Sequence, residues 1–363
     1  MKKSKKILII GLTGLGNLVL KIPLFKTIKF SDTNYELHIL VNKKYNYNKF
    51  LDELGIVNKI HILNDEENSH YQLRQILLLK KYKFDYILLP FDSSTKLTIF
   101  GSLFFKSTKI MHINLDVSYL RKIRNSIFYL FFKNYKFVPF MPGRHEIDLN
   151  IDLFESLINS PLKRSFNTEF KFKNDQNSIK QFNLLKYKYI CIQISSAHGD
   201  YNAKTWNPKN FKELIRKILY KYNDFQVVIL GDKHDTNYYQ DEKINSKNLI
   251  NLIGKTDLNE LLNVIYYSSA VIACDSSIGH LANALKVNLI SLFGPTDYTR
   301  TVPKGENTKV IYTDDQYTGI MYNFRYLEKD LSKTNHNFKL MSGITTNKVF
   351  SELEKILIHT HKD

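Results

Sequence analysis

The chain has 363 residues, 43% of them apolar, enough for two ordinary α/β cores and unlike a small disulfide-stapled protein. Lysine and arginine number 52 against 35 acidic residues, a formal net charge of +17. Such a surface attracts nucleic acid, an anionic membrane face or a phosphorylated substrate, while the Lys, Asn, Ile and Tyr bias of an AT-rich genome yields the same excess with no functional cause. Cys191 and Cys274 sit inside apolar runs, and nothing has the spacing of a C-x-x-C ligand pair, so a reducing cytoplasm is expected, with no metal site and no bound cofactor.

Basic residues precede the apolar run Ile7 to Ile10, but the run is short and opens into the loop Gly11, Gly14, Gly16, Asn17. It reads as a first strand, not a signal peptide, and no apolar segment nears the ~20 residues that span a bilayer. Glycines permit positive φ and close approach of backbone, so a ligand or another domain is expected against this loop. Its spacing is G-x-x-G-x-G, not the G-x-G-x-x-G of dinucleotide enzymes, and no acidic residue closes the next strand. A helix is expected from Pro23 to Lys29, then strands near Leu37 to Val41, Lys59 to Leu63, Tyr86 to Leu89 and Lys109 to Ile113 with helices between them. This alternation predicts a doubly wound parallel sheet. Asp92 follows a strand in P-F-D-S-S-T-K, either as a carboxylate at a strand mouth or as the N-cap of a helix from Ser93.

From Tyr119 to Phe137 basic and aromatic residues interleave. An interfacial membrane helix and a core helix with a solvated basic face both fit, whereas no nucleic-acid-binding signature accompanies the pattern. Gly143 to Leu157 reads as a helix burying Ile147, Ile151, Leu153 and Phe154. The polar stretch Lys171 to Lys180 is the expected linker.

Alternation restarts at Tyr189 to Ile194. Ser195, Ser196 and Lys204 then precede a helix opened by Pro208, a fitting cradle for a diphosphate. A strand from Gln226 to Leu230 ends in a loop holding Asp235, and Leu258 to Tyr267 is helical. Ala270 to Cys274 is a buried strand whose mouth carries Asp275, Ser276, Ser277 and His280 at the start of a helix, the place where open parallel sheets bind phosphates. Taken singly, Asp275 fits a helix N-cap and His280 a packed core histidine. A further strand, Leu289 to Phe293, ends in Gly294-Pro295-Thr296-Asp297, and a last helix covers Asn347 to Leu357.

The order D-S-S-I-G-H-L-A-N-A-L, then a strand and F-G-P-T-D, resembles glycosyltransferase family 9, the heptosyltransferases of lipopolysaccharide core assembly. The opening I-L-I-I-G-L-T-G-L-G-N and the spacing of Lys204, Trp206 and Pro208 extend the resemblance over nearly the whole chain. It implies a GT-B fold: two Rossmann-like domains whose parallel sheets face a central cleft. Residues 1–172 would bind acceptor, 181–344 the nucleotide-sugar, and 345–363 would form a helix packed back on the first domain. The implied reaction is inverting and metal-independent, moving heptose from ADP-L-glycero-β-D-manno-heptose to the inner core of lipopolysaccharide or lipooligosaccharide. Donor binding would fall to Ser195, Ser196, Lys204, Asp235, Asp275, Ser276, Ser277 and His280, with Asp235 on the nucleoside ribose or base. Gly14, Gly16, Arg144 and His145 would meet a phosphorylated lipid A–Kdo acceptor. The resemblance implies a cytoplasmic monomer, with peripheral contact on the inner face of the inner membrane as one reading. One position departs. The family has an aspartate, the expected general base, where this chain has Asn17, an amide that takes up no proton at neutral pH. Asp92 is the best-placed replacement in this half. The departure also leaves open a family 9 enzyme with another donor or acceptor, and a nucleotide-sugar-binding homologue impaired in turnover.

Overall fold

The computed structural model describes residues 4–31, 34–43, 47–113, 132–141, 143–195, 204–237, 244, 246–313 and 339–360. The chain divides into two units, Met1–Phe172 and Lys173–Asp363.

The first unit is built on strands β1 (Lys5–Ile10), β2 (Tyr35–Asn42), β3 (Lys59–Leu63), β4 (Tyr86–Leu89), β5 (Thr108–Ile113) and β6 (Tyr135–Pro139). They form one parallel sheet in the order β3-β2-β1-β4-β5-β6, with Ile7 opposite Leu37 on one side and Tyr86 on the other. The central strands are apolar over Ile7 to Ile10 and Tyr86 to Leu89 because both faces are covered there; Ile7, Ile9, Leu88 and Leu89 are fully buried. Helices α1 (Leu15–Val19), α2 (Ile22–Lys29), α3 (Asn48–Leu54), α4 (Ser69–Leu78), α5 (Lys96–Ser102) and α6 (Glu146–Ile158) accompany the sheet. Gly101 lets α5 approach α4 closely, since a Cβ there would lie 2.8 Å from an Ile76 methyl.

The second unit starts with α7 (Asn177–Lys180) and β7 (Tyr189–Gln193), followed by α8 (Pro208–Lys221), β8 (Gln226–Leu230), β9 (Leu249–Asn251) and α9 (Leu258–Tyr266). It continues through β10 (Ala270–Cys274), α10 (Ser277–Ala284), β11 (Leu289–Phe293), α11 (Tyr298–Thr301), β12 (Thr308–Tyr312) and α12 (Thr346–Thr360). Its parallel sheet runs β12-β11-β10-β7-β8-β9. Counted from the first strand of each unit, the two sheets have the same order, a duplication that the sequence does not display. Pro208 opens α8 behind the cap Asn207, as expected, and Phe211, Leu214, Ile215 and Ile218 bury one face of it. Each such side chain contributes roughly 1.5–3 kcal/mol of burial.

Three expectations are corrected. Residues 114–131, most of the basic and aromatic stretch, lie outside the described residues, and its end is a strand, not a helix: Tyr135 pairs with Lys109, and the Tyr135 and Phe137 rings stack at 6.0 Å on one face. The stretch expected as a linker belongs from Lys173 to the second unit, where the Asp175 amide donates to Asn263 Oδ1 at 2.7 Å and Ile179 is buried. The C-terminal helix α12, expected on the first unit, packs into the core of the second. Its Val349, Leu353 and Leu357, spaced four apart on one face, share a core with Trp206, Phe211 and Ile215.

Candidate active site

In a doubly wound sheet the crevice lies where strand order reverses, outside the carboxyl ends of the first and fourth strands. In the first unit these are β1 and β4, and in the second β7 and β10. Each of these mouths carries a buried lysine–aspartate pair.

In the second unit, Lys204 Nζ lies 3.0 Å from Asp275 Oδ2, with the two side chains 12% and 9% exposed. The lysine is anchored through its near neighbour Trp206, which is buried and whose indole N–H donates to the Ile344 carbonyl at 2.8 Å. The aspartate is held by its own amide, which donates to Leu292 O at 3.1 Å. Burial alone would raise the Asp275 carboxyl, but the Lys204 ammonium and, more weakly, His280 outweigh it and hold it below its usual range. Asp275 is not a helix cap. The cap of α10 is Ser276, whose hydroxyl instead donates to Gln193 Oε1 at 2.8 Å, tying the β10 mouth to that of β7. The Ser276 side chain therefore does not cap the first amides of α10, whose partial positive charge stands at the mouth. Ser277 begins the helix and is half-buried. His280 is buried, and its imidazole is pushed down to about 4 by burial, so it is neutral at pH 7. The Ser195 hydroxyl is buried with no hydrogen-bond partner among the described residues, and the buried Thr296 hydroxyl faces the Asp275 carboxylate. Ser196 lies outside the described residues. Asp235 is buried in a turn of its own, where Oδ2 accepts from the Asp232 amide at 2.8 Å. Gly294 is required by contact, since a Cβ there would come within 2.6 Å of the Leu340 carbonyl.

In the first unit, Lys21 is fully buried and its Nζ lies 2.5 Å from Asp92 Oδ2, with the Asp92 side chain 5% exposed. Asp92 Oδ1 is buried and accepts no hydrogen bond among the described residues. Asp92 is not the N-cap of the following helix either: Thr95 caps α5 and forms a capping box with Thr98. On β5, the buried His112 accepts from the Phe91 amide at Nδ1 at 3.3 Å, and its ring also meets the Leu149 backbone. Burial pushes this imidazole down to about 4 against the pull of Asp92 and Asp152. Asn17 is half-buried in α1, one helical turn before Lys21. The expected positive φ is absent from the loop: Gly14 has φ −71° and open space where a Cβ would stand, whereas Gly11 is fixed by Ile39 and Leu40 of β2. Gly16 lies in the first turn of α1. His145 is buried as the cap of α6, its Nδ1 accepting from the Ile147 amide at 3.2 Å. Arg144 donates to Asp152 Oδ1 at 2.8 Å, a carboxylate shared with Arg164.

The structure thus joins Lys204 with Asp275, Ser276 with the β7 mouth, and Asp92 with a lysine that the motifs do not single out. Lys21, His112, Gln193 and Thr296 escaped the sequence. The one signal for Lys21 was a lone cation in the apolar run L-V-L-K-I-P-L-F. Among the described residues no group of three or more His, Cys, Asp or Glu is arranged to hold a metal ion.

Two six-stranded parallel sheets of one topology, with ligand-type residues at both switch points, define a GT-B glycosyltransferase fold. The chain is similar over its length to solved structures of that kind. It matches the E. coli ADP-heptose lipopolysaccharide heptosyltransferase II with a TM-score of 0.69 at 18% identity, over 98% of this chain and 99% of that one. It matches the family 9 glycosyl transferase of Veillonella parvula with a TM-score of 0.71 at 17% identity, over 99% of both chains. In sequence it is 28% identical over 162 residues to lipooligosaccharide heptosyltransferase 2 of Haemophilus ducreyi, an alignment that takes in 43% of this chain and only 44% of that protein. The profile of glycosyltransferase family 9 (heptosyltransferase) matches residues 102–344, and the chain belongs to that family.

Proposed function

We propose that the chain is an inverting, metal-independent glycosyltransferase that moves heptose from ADP-L-glycero-β-D-manno-heptose to the inner core of lipopolysaccharide or lipooligosaccharide. The observation that carries this reading is the Lys204–Asp275 pair beside the N-terminus of α10, at the switch point of a family 9 chain. The acceptor oxygen attacks the anomeric carbon as the bond from that carbon to the diphosphate breaks, and the leaving nucleoside diphosphate keeps the electron pair. Its charge is met by Lys204, by the hydroxyls of Ser195 and Ser196, and by the first amides of α10. Asp275 is a carboxylate and accepts only, so it suits sugar hydroxyls. Asp235 serves the ribose at the turn it closes.

The acceptor, a phosphorylated lipid A–Kdo, is assigned to the first unit, at the Gly14 to Asn17 segment with Arg144 nearby. Asn17 orients the attacking hydroxyl. Its proton goes to Asp92 Oδ1, the carboxylate oxygen that no donor among the described residues occupies. The His145 ring is committed to its helix and contributes by fixing Arg144 beside it. The protein works as a monomer in the cytoplasm, against the inner face of the membrane. Among the described residues no helix is long and apolar enough to cross a bilayer.

Asn17 supports a second reading, a family 9 protein with another nucleotide-sugar or acceptor, or one impaired in turnover. A thermal-shift screen against ADP-, GDP-, UDP- and dTDP-sugars separates these, because a ligand bound only by the folded chain raises its Tm by mass action. A shift confined to ADP and ADP-heptose supports heptosyl transfer, and a shift with another nucleotide moves the chain to a different donor. No shift at all removes the donor-site assignment.

A further inference from the structure

Lys204 is the cation that a diphosphate arriving at the β7 and β10 mouths needs, yet it already faces a carboxylate 3.0 Å away, with both side chains largely withdrawn from water. Any anion that draws Lys204 toward itself leaves Asp275 with less compensation, and an under-compensated buried carboxylate is costly. Local replacements are few. Thr296 presents a hydroxyl beside it, His280 is neutral at pH 7, and the Ser276 hydroxyl is committed to Gln193.

The two ligands of the reaction differ in what they offer Asp275. A free nucleoside diphosphate presents only acceptor oxygens on its phosphate end, and its charge repels the carboxylate. A nucleotide-sugar brings hydroxyl donors to the same place. We infer that Asp275 makes this site discriminate between an intact nucleotide-sugar and the free nucleoside diphosphate, by competing with the diphosphate for Lys204 until sugar hydroxyls take the lysine's place. The inference rests on the donor assignment made above and deepens it. Once the sugar has been transferred, the remaining diphosphate faces the bare carboxylate, Lys204 returns to Asp275, and the product is expelled. The ion pair therefore clears the site as well as building it.

The test is isothermal titration of the wild-type chain, Asp275→Asn and Lys204→Met with ADP and with ADP-heptose, the folded state of each variant being checked by its Tm. The amide of Asp275→Asn still meets hydroxyls but releases Lys204 and removes the like charge. ADP is expected to bind this variant about tenfold more tightly than wild type, equivalent to ~1.4 kcal/mol, while ADP-heptose gains nothing or weakens. Lys204→Met is expected to weaken both ligands. If Asp275→Asn weakens or leaves unchanged the binding of ADP, the inference is overturned while the donor site stands. Wild type gives an independent reading that needs no variant: ADP binds at least about tenfold more weakly than ADP-heptose, and equal affinities refute the discrimination. Failure of wild type to bind either ligand refutes the donor assignment itself.

Discussion

Acidification should unfold the two units unequally. The His61, His112 and His280 imidazoles are each pushed from the usual 6.5 down to about 4, chiefly by burial. His38, whose Nδ1 lies 2.9 Å from His61 Nε2, is lowered as well, again mainly by burial. A histidine held below its unfolded value binds fewer protons folded than unfolded, so its contribution to stability is whole above about 6.5 and is lost as pH falls toward about 4. At pH 5 each such histidine removes on the order of 2 kcal/mol relative to pH 7. His61 and His112 belong to the first unit and His280 to the second, so acid costs the first unit about 4 kcal/mol and the second about 2. Those losses are large against a total stability of ~5–15 kcal/mol. The chain has a single tryptophan, Trp206, fully buried in the second unit, so its fluorescence reports that unit alone while far-UV circular dichroism reports both. Urea unfolding at pH 7, 6 and 5 should show the two signals separating, with the circular dichroism transition moving first. Midpoints that stay together and unchanged from pH 7 to 5 would refute the reasoning, as would a His61→Phe variant with the full acid sensitivity of wild type.

Four further outcomes are expected. Lys21→Met leaves a buried carboxylate alone and should cost roughly 3–5 kcal/mol in urea unfolding, most of it recovered when Asp92→Leu is added; an uncoupled double-mutant cycle would show that the pair is not formed. Asp92→Asn should lower transfer by about 100-fold or more with donor binding unchanged, read by the release of nucleoside diphosphate and by titration. Restoring an acid with Asn17→Asp should raise turnover several-fold if position 17 limits proton removal, whereas an unchanged rate assigns that work wholly to Asp92. Gly294→Ala should destabilise the second unit by about 1–3 kcal/mol, seen as a lower midpoint in Trp206 fluorescence, because the new methyl meets the Leu340 carbonyl and the Met341 side chain.

Much of the fold was legible because strands covered on both faces must be apolar along their whole length. Tyr86–Leu89, Gln226–Leu230, Ala270–Cys274 and Leu289–Phe293 fall where such runs place them. The strands that escaped, β6, β9 and β12, are edges of their sheets, and an edge strand needs no second apolar face. Val349, Leu353 and Leu357 recur four apart on α12, but such spacing reveals that a face is covered, never by what. The sequence offered candidate site residues singly and not as pairs. Lys204 and Asp275 each stood in a motif, but that they neutralise one another depends on two strands lying side by side. Lys21 and Asp92 belong to no shared motif, and only the adjacency of β1 and β4 brings them to 2.5 Å. His145, which the resemblance sets at the acceptor, is a helix cap, a role that serine, threonine, asparagine or aspartate fills more often.

The seat of α12 sets a schedule for biosynthesis. The first unit contains all of its sheet by Pro139 and its contact-defined boundary at Phe172, so its folding can run while the rest of the chain is still being translated. The second unit has no such freedom. Trp206, Phe211 and Ile215 wait for Val349, Leu353 and Leu357, which the ribosome releases well over a hundred residues later. Through that interval the nascent second sheet presents an unfinished apolar face, and chaperone engagement should concentrate there and end as α12 emerges.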